Sequence, residues 1–172
     1  TRRDEQELIY FDSVLDSISR SRTKAEITEI REELTAGGYL KAPATKPKKT
    51  QVPVLREYKS AEGYRIIVGK NNRQNDYITT TLAAKNDLWF HTKNIPGSHV
   101  VVMCGRKEVS EETLIYAATL AAENSGAAAG AQVPVDYTPV KFVKKPNSAK
   151  PGMVIYTTNK SLYVTPDNGG KL

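Results

Sequence analysis

An α+β fold is predicted for this chain: a mixed or antiparallel sheet with packed helices, preceded by a short helical extension. Three observations carry the prediction. The stretch NDLWFHTKNIPGSHVVVM at 86–103 reads as two strands around a sharp turn. Ser110-Glu111-Glu112 opens the best helix signal in the chain, with a capping serine and two glutamates at the positive end of the helix dipole. Residues 4–34 carry their apolar side chains at helical spacing.

The extension comes first. Leu8, Phe11, Leu15 and Ile18 share one face of a helix over 4–19, and Ser19-Arg20-Ser21-Arg22 interrupts it. A second helix is expected from Thr23 to about Leu34. Thr23 and Glu26 have the capping-box spacing, and Ala25 or Ile27, Ile30 and Leu34 form its apolar stripe. Gly37-Gly38 ends it. The pair reads as a helical hairpin or as the broken end of a longer coiled coil. Residues 41–53, KAPATKPKKTQVP, hold three prolines and four lysines; they read as a solvated linker or as a basic arm that folds onto nucleic acid. This divides the chain into 1–40, 41–53 and an α+β domain over 54–172.

Residues 54–58 and 64–68 make a hairpin around Lys59-Ser60-Ala61-Glu62-Gly63. The polar segment 69–76 reads as a loop rich in amides with two cations, suited to phosphates and base edges, and without the glycine spacing of a P-loop. Asp76 is then the expected N-cap of a weak helix to about Lys85, weak because Ile78 and Thr79 to Thr81 are β-branched.

In the strand Leu88–Thr92, alternation sends Leu88, Phe90 and Thr92 to one face and Trp89 and His91 to the other. Pro96-Gly97 breaks the chain, and Val100, Val101 and Val102 have no polar neighbour between them, as in a buried central strand. Trp89, the only tryptophan, is either a core residue with its indole N–H bonded to a carbonyl or a stacking platform. Leu114, Ala117 or Ala118 and Ala121 give the helix after Ser110 a small-residue stripe, and Asn124-Ser125-Gly126 stops it. Residues 133–143 read as one long strand with Pro134 and Pro139 at edges or bulges. Residues 152–156 and 162–165 read as a last hairpin, followed by a polar tail from Asp167.

Composition bounds the function. At 172 residues and 39% hydrophobic content, the chain suits one domain or one domain with an appendage. No apolar run approaches the ~20 residues of a membrane span. No secretory signal is visible, and the chain reads as a fragment that starts within a helix. The single cysteine, Cys104, follows a valine run and reads as a buried thiol; it excludes an internal disulfide and a cysteine-based zinc site. His91 and His99, eight apart near Asp87, match no standard metal spacing, so neither metal nor cofactor is expected. Residues 1–35 carry six basic and nine acidic side chains, a balance of −3, which leaves +9 for residues 36–172. That potential attracts a polyanion, RNA or DNA before an anionic membrane.

Three separated segments, VGKNNRQND, NDLWFHTKNIPGSHVVV and VPVDYTPVKFVKKPNSAKPGMVIY, resemble in content and order the RNA-binding-type domain at the C-terminal end of the NFACT family. The preceding helices and GGYLK resemble the end of that family's coiled-coil arm, so the likeness covers about residues 5–166. The resemblance implies a cytoplasmic ribosome quality-control factor. It would bind large ribosomal subunits and their rRNA when obstructed by peptidyl-tRNA, and recruit alanyl-tRNA so that an alanine tail is added without mRNA. Some bacterial members carry a fibronectin-binding description, which makes a surface adhesin the alternative. An enzyme using His91 and His99 as acid–base groups ranks below both. On the leading reading, Lys70, Asn71, Asn72, Arg73, Lys93, Lys141, Lys144, Lys145 and Lys150 contact phosphate. Trp89, His91, Ser98 and His99 shape a pocket or stack on a base, and no residue is catalytic.

Overall fold

The structure, a computed structural model, describes residues 1–44 and 54–166. The expected linker from 45 onward and the tail from Asp167 lie outside the described residues. Six strands form an antiparallel sheet in the order β1-β2-β4-β3-β5-β8. They are β1 Arg56–Lys59, β2 Arg65–Val68, β3 Leu88–Thr92, β4 Val100–Val102, β5 Val133–Pro139 and β8 Lys160–Val164. The period-2 pattern of β3 sorts its side chains as expected. Phe90 joins Ile66, Val68, Val100 and Val135 on one face, where α4 (Glu111–Glu123) packs its Ala117, Ala118, Ala121 and Ala122. Alanines let the helix lie close to the sheet. Ser110 caps α4, its Oγ accepting from Thr113 N at 3.2 Å. Trp89 joins Ile67, Val101, Ile78 and Val140 on the opposite face. All three valines of β4 are buried, as is Cys104.

The N-terminal helices α1 (Arg2–Arg20) and α2 (Lys24–Ala36) close a third core around Tyr10, Val14 and Ile30, with Phe11, Leu34, Tyr39 and Met153 packed on it. Here the expected stripe of α1 is corrected. Leu8 and Leu15 are 66% and 63% exposed, and Ile18 is exposed too. The buried side is Tyr10, Ser13, Val14 and Ser17. Packing and hydrogen bonding coincide on it: Tyr10 and Val14 fill the third core, Tyr10 donates to Glu33 of α2, and Ser13 Oγ accepts from Asn72 Nδ2 at 3.0 Å. Thr23 caps α2, its Oγ1 accepting from Glu26 N at 3.2 Å, but the Glu26 carboxylate takes Arg22 N instead of completing a capping box.

The polar segment after β2 is not a loop. Asn72–Tyr77 is a helix, α3, and its cap is Asn71, whose Oδ1 accepts from Gln74 N at 3.0 Å. Asp76 is not a cap; it accepts from Gly152 N at 2.8 Å and from the Lys145 ammonium. The helix runs on as a π-helical turn over Ile78–Leu82, where the β-branched run lies. The late strands differ as well. β5 ends at Pro139, a 3-10 turn follows over Val140–Phe142, and β6 (Val143–Lys144) pairs with β7 (Ile155–Tyr156). β8 pairs with β5, an internal strand, so residues 152–165 form no hairpin of their own.

Candidate nucleic-acid interface

β3 sets Trp89 and His91 side by side on one sheet face, with ring centroids 5.7 Å apart and planes within 9°. His99, just before β4, meets both edge-on, at 5.2 Å from Trp89 and 5.5 Å from His91. Tyr156 of β7 closes the group 5.2 Å from Trp89, and its hydroxyl donates to Asp136. His99 is fixed from two sides. Its backbone N–H donates to Asn75 Oδ1 at 3.0 Å, and its Nδ1 lies 2.7 Å from Thr79 Oγ1. Burial holds both imidazoles below the usual histidine range, His99 further than His91. Both are neutral at pH 7. Trp89 is 1% exposed, so the core reading of that residue holds, yet its Nε1 has no hydrogen-bond partner among the described residues.

The four rings back a cleft of about 530 Å³ between α1, α3, the β3–β4 connection and residues 152–156. Its other walls include Ile9 and Asp12 of α1, Asn75 of α3, Asn94 and Ile95 of the connection, and Met153. Sequence reasoning missed Asp12, Asn75, Met153 and Tyr156. They lie on three separate segments, α1, α3 and residues 152–156, and no motif spacing joins segments that meet only in the folded chain.

The expected contact residues divide into three groups. Trp89, His91, His99 and Asn72 all line the cleft, but only His91 among them keeps partial exposure; Ser98 is 1% exposed and does not line it. Ser98 Oγ accepts from Arg20 at 3.3 Å, and its N–H donates to Asn124 at 2.8 Å. Asn71 and Asn72 are not open phosphate ligands either. Asn71 is buried as a cap and donates to Glu29 at 2.7 Å.

A second group of cations already has partners within the chain. Lys70 pairs with Glu26 at 3.5 Å and Arg73 with Glu32 at 2.9 Å, both acids on α2. Lys145 holds Asp76, and Lys150 donates to Tyr39 while lying 5.1 Å over the rings of Tyr10 and Tyr39. Lys93, Lys141 and Lys144 make the third group: all are exposed and make no ion pair among the described residues. They do not form one patch. Lys93 follows the end of β3, whereas Lys141 N bonds Lys85 O ahead of its start, and a five-residue strand spans roughly 17 Å.

Residues 54–158 match the family described as "NFACT protein RNA binding domain". The chain is 49% identical over 166 residues to a protein of Bacillus subtilis named "Rqc2 homolog RqcH", covering 95% of this chain and 29% of the relative. A Streptococcus suis protein of the same name is 45% identical over 161 residues, covering 92% and 28%. The chain thus spans under a third of the curated relatives it matches. The solved C-terminal structure of a Streptococcus suis "fibronectin/fibrinogen-binding protein" superposes with a TM-score of 0.89 at 40% identity, over 97% of this chain and 66% of that one. The chain therefore belongs to the NFACT family of ribosome quality-control factors, and residues 54–158 are its RNA-binding domain.

Proposed function

We propose that this chain is the RNA-contacting, non-catalytic module of a cytoplasmic factor that binds large ribosomal subunits obstructed by peptidyl-tRNA. There it helps recruit tRNA, alanyl-tRNA in particular, for mRNA-independent extension of the stalled nascent chain. The match of residues 54–158 to an RNA-binding domain carries the reading. The exposed cations Lys93, Lys141 and Lys144 support it, because exposed ammonium groups without carboxylate partners are free to meet phosphates. No described helix is long and apolar enough to cross a membrane.

Titration with tRNA across a salt series tests the reading. Affinity should fall by about 0.7 to 0.9 log units per log unit of salt for each phosphate neutralised. A fibronectin-binding role is the second reading, favoured by the description of the Streptococcus suis structure. A salt-independent RNA affinity beside tight fibronectin binding would reverse the order of the two.

A further inference from the structure

The cleft behind His91 has a chemistry unlike that of the free lysines. No lysine or arginine lines it, and its one carboxylate, Asp12, is exposed on α1 without a hydrogen-bond or ion-pair partner among the described residues. A phosphate would find no counter-charge there and would face an anion. A flat, uncharged group with amino donors suits it better. The Trp89–His91 stack is closed at the buried indole and open at the partly exposed imidazole, which borders the cleft. A planar ring entering the cleft extends that stack by one member. Neutral imidazole and amide side chains both donate and accept, which matches the mixed edge of a base. Lys93, exposed, immediately precedes Asn94 on the cleft wall, so a cation stands next in the chain to the rim.

We propose that this cleft receives one unstacked nucleobase bearing an exocyclic amine, with its ring against His91, its amine toward Asp12, and its phosphate left at the rim near Lys93. The inference rests on the RNA-binding reading above and adds to it a site and a base preference. Bases splayed out of single-stranded RNA are recognised in this manner, by stacking on flat side chains and by hydrogen bonds to their edges. Uracil, which presents carbonyl oxygens where adenine and cytosine present amines, meets Asp12 unfavourably.

The sole tryptophan supplies the readout, since Trp89 borders the cleft. The purified chain is titrated with short single-stranded uridine-rich RNAs that carry one central adenosine, cytidine, uridine or abasic site, with Trp89 fluorescence and anisotropy followed together. The adenosine and cytidine probes should bind about tenfold more tightly than the abasic probe and change Trp89 emission. Asp12→Asn, at an exposed helix position, should bring the uridine probe up to the adenosine probe. If all four probes bind alike, with the steep salt dependence of phosphate contacts, the base pocket is overturned and the RNA-binding reading stands. If no probe binds under low salt, both are overturned.

Discussion

The ammonium of Lys145 is bonded to the carboxylate of Asp76, 69 residues earlier in the chain. This contact joins the turn after β6 to α3, and Gly152 N adds a second bond to the same carboxylate at 2.8 Å. Lys144, one residue away, has no such partner among the described residues. Two adjacent lysines are therefore expected to respond differently. Lys145→Gln should destabilise the domain by about 1–2 kcal/mol, a value between those of exposed and buried pairs because the partners are 28% and 23% exposed. Lys144→Gln should stay within about 0.5 kcal/mol of the parent. Urea denaturation of both variants checks this, and equal losses would contradict it.

Trp89 is the largest fully buried side chain. Trp89→Ala should cost about 3–5 kcal/mol, since Ile67, Val101 and Ile78 cannot all collapse into the space it leaves. Thermal and chemical melting measure the loss. An unchanged midpoint would mean that the indole packs far more loosely than its burial implies.

Acid should weaken the fold through the histidines. Burial lowers the pKa of His91 and His99 in the folded chain, so below the ordinary value of 6.5 the unfolded chain binds protons that the folded chain refuses. Their contribution is complete above that pH and is lost as pH falls beneath it. Glu33 acts in the opposite sense. Burial raises its pKa above 4.5, so its contribution favours folding at low pH and fades as pH rises through the folded value. The histidine part is isolated by comparing the parent with His99→Gln between about pH 7.5 and 5. The parent's stability should fall more steeply with acid; parallel curves would refute the assignment to His99.

Glu26 ties α2 to the sheet, pairing with Arg56 of β1 at 3.3 Å and with Lys70 at 3.5 Å. These groups sit at 6%, 13% and 14% side-chain exposure. Glu26→Gln leaves two largely buried cations without their anion and should cost about 3 kcal/mol. Denaturant titration followed by circular dichroism is the measurement. A loss under about 0.5 kcal/mol would show that α2 is not coupled to the sheet through this carboxylate.

Gly97 has no room for a methyl group. An added Cβ would stand 2.8 Å from Ser125 Cβ and 3.1 Å from Asn124 O, where the β3–β4 connection crosses the end of α4. Gly97→Ala should therefore cost about 1–3 kcal/mol and displace the cleft wall at Pro96 and Ile95. A melting temperature equal to the parent's would exclude that close approach.

Sequence alone determined the features governed by short periods and local caps. The alternation in Leu88–Thr92 fixed which side of the sheet Trp89 and Phe90 would face, because successive strand residues point oppositely whatever surrounds them. The unbroken valines of β4, the Ser110 cap and the alanine stripe of α4 were legible for the same reason. Local chemistry could not rank Asn71 against Asp76 as a cap; contacts from residues 145 and 152 claimed Asp76. Nor could it choose the buried face of α1, where Tyr10 and Val14 pack on Ile30 and hydrogen bonds reach Glu33 and Asn72, while the leucines stay outside. The cations make the same distinction. Lys70, Arg73, Lys145 and Lys150 look as free in sequence as Lys93, Lys141 and Lys144, and only folding brought acids and rings against the first four, across separations as long as 111 residues. Charge counts the attraction available to a polyanion, but position in the folded chain decides which charges are left to exert it.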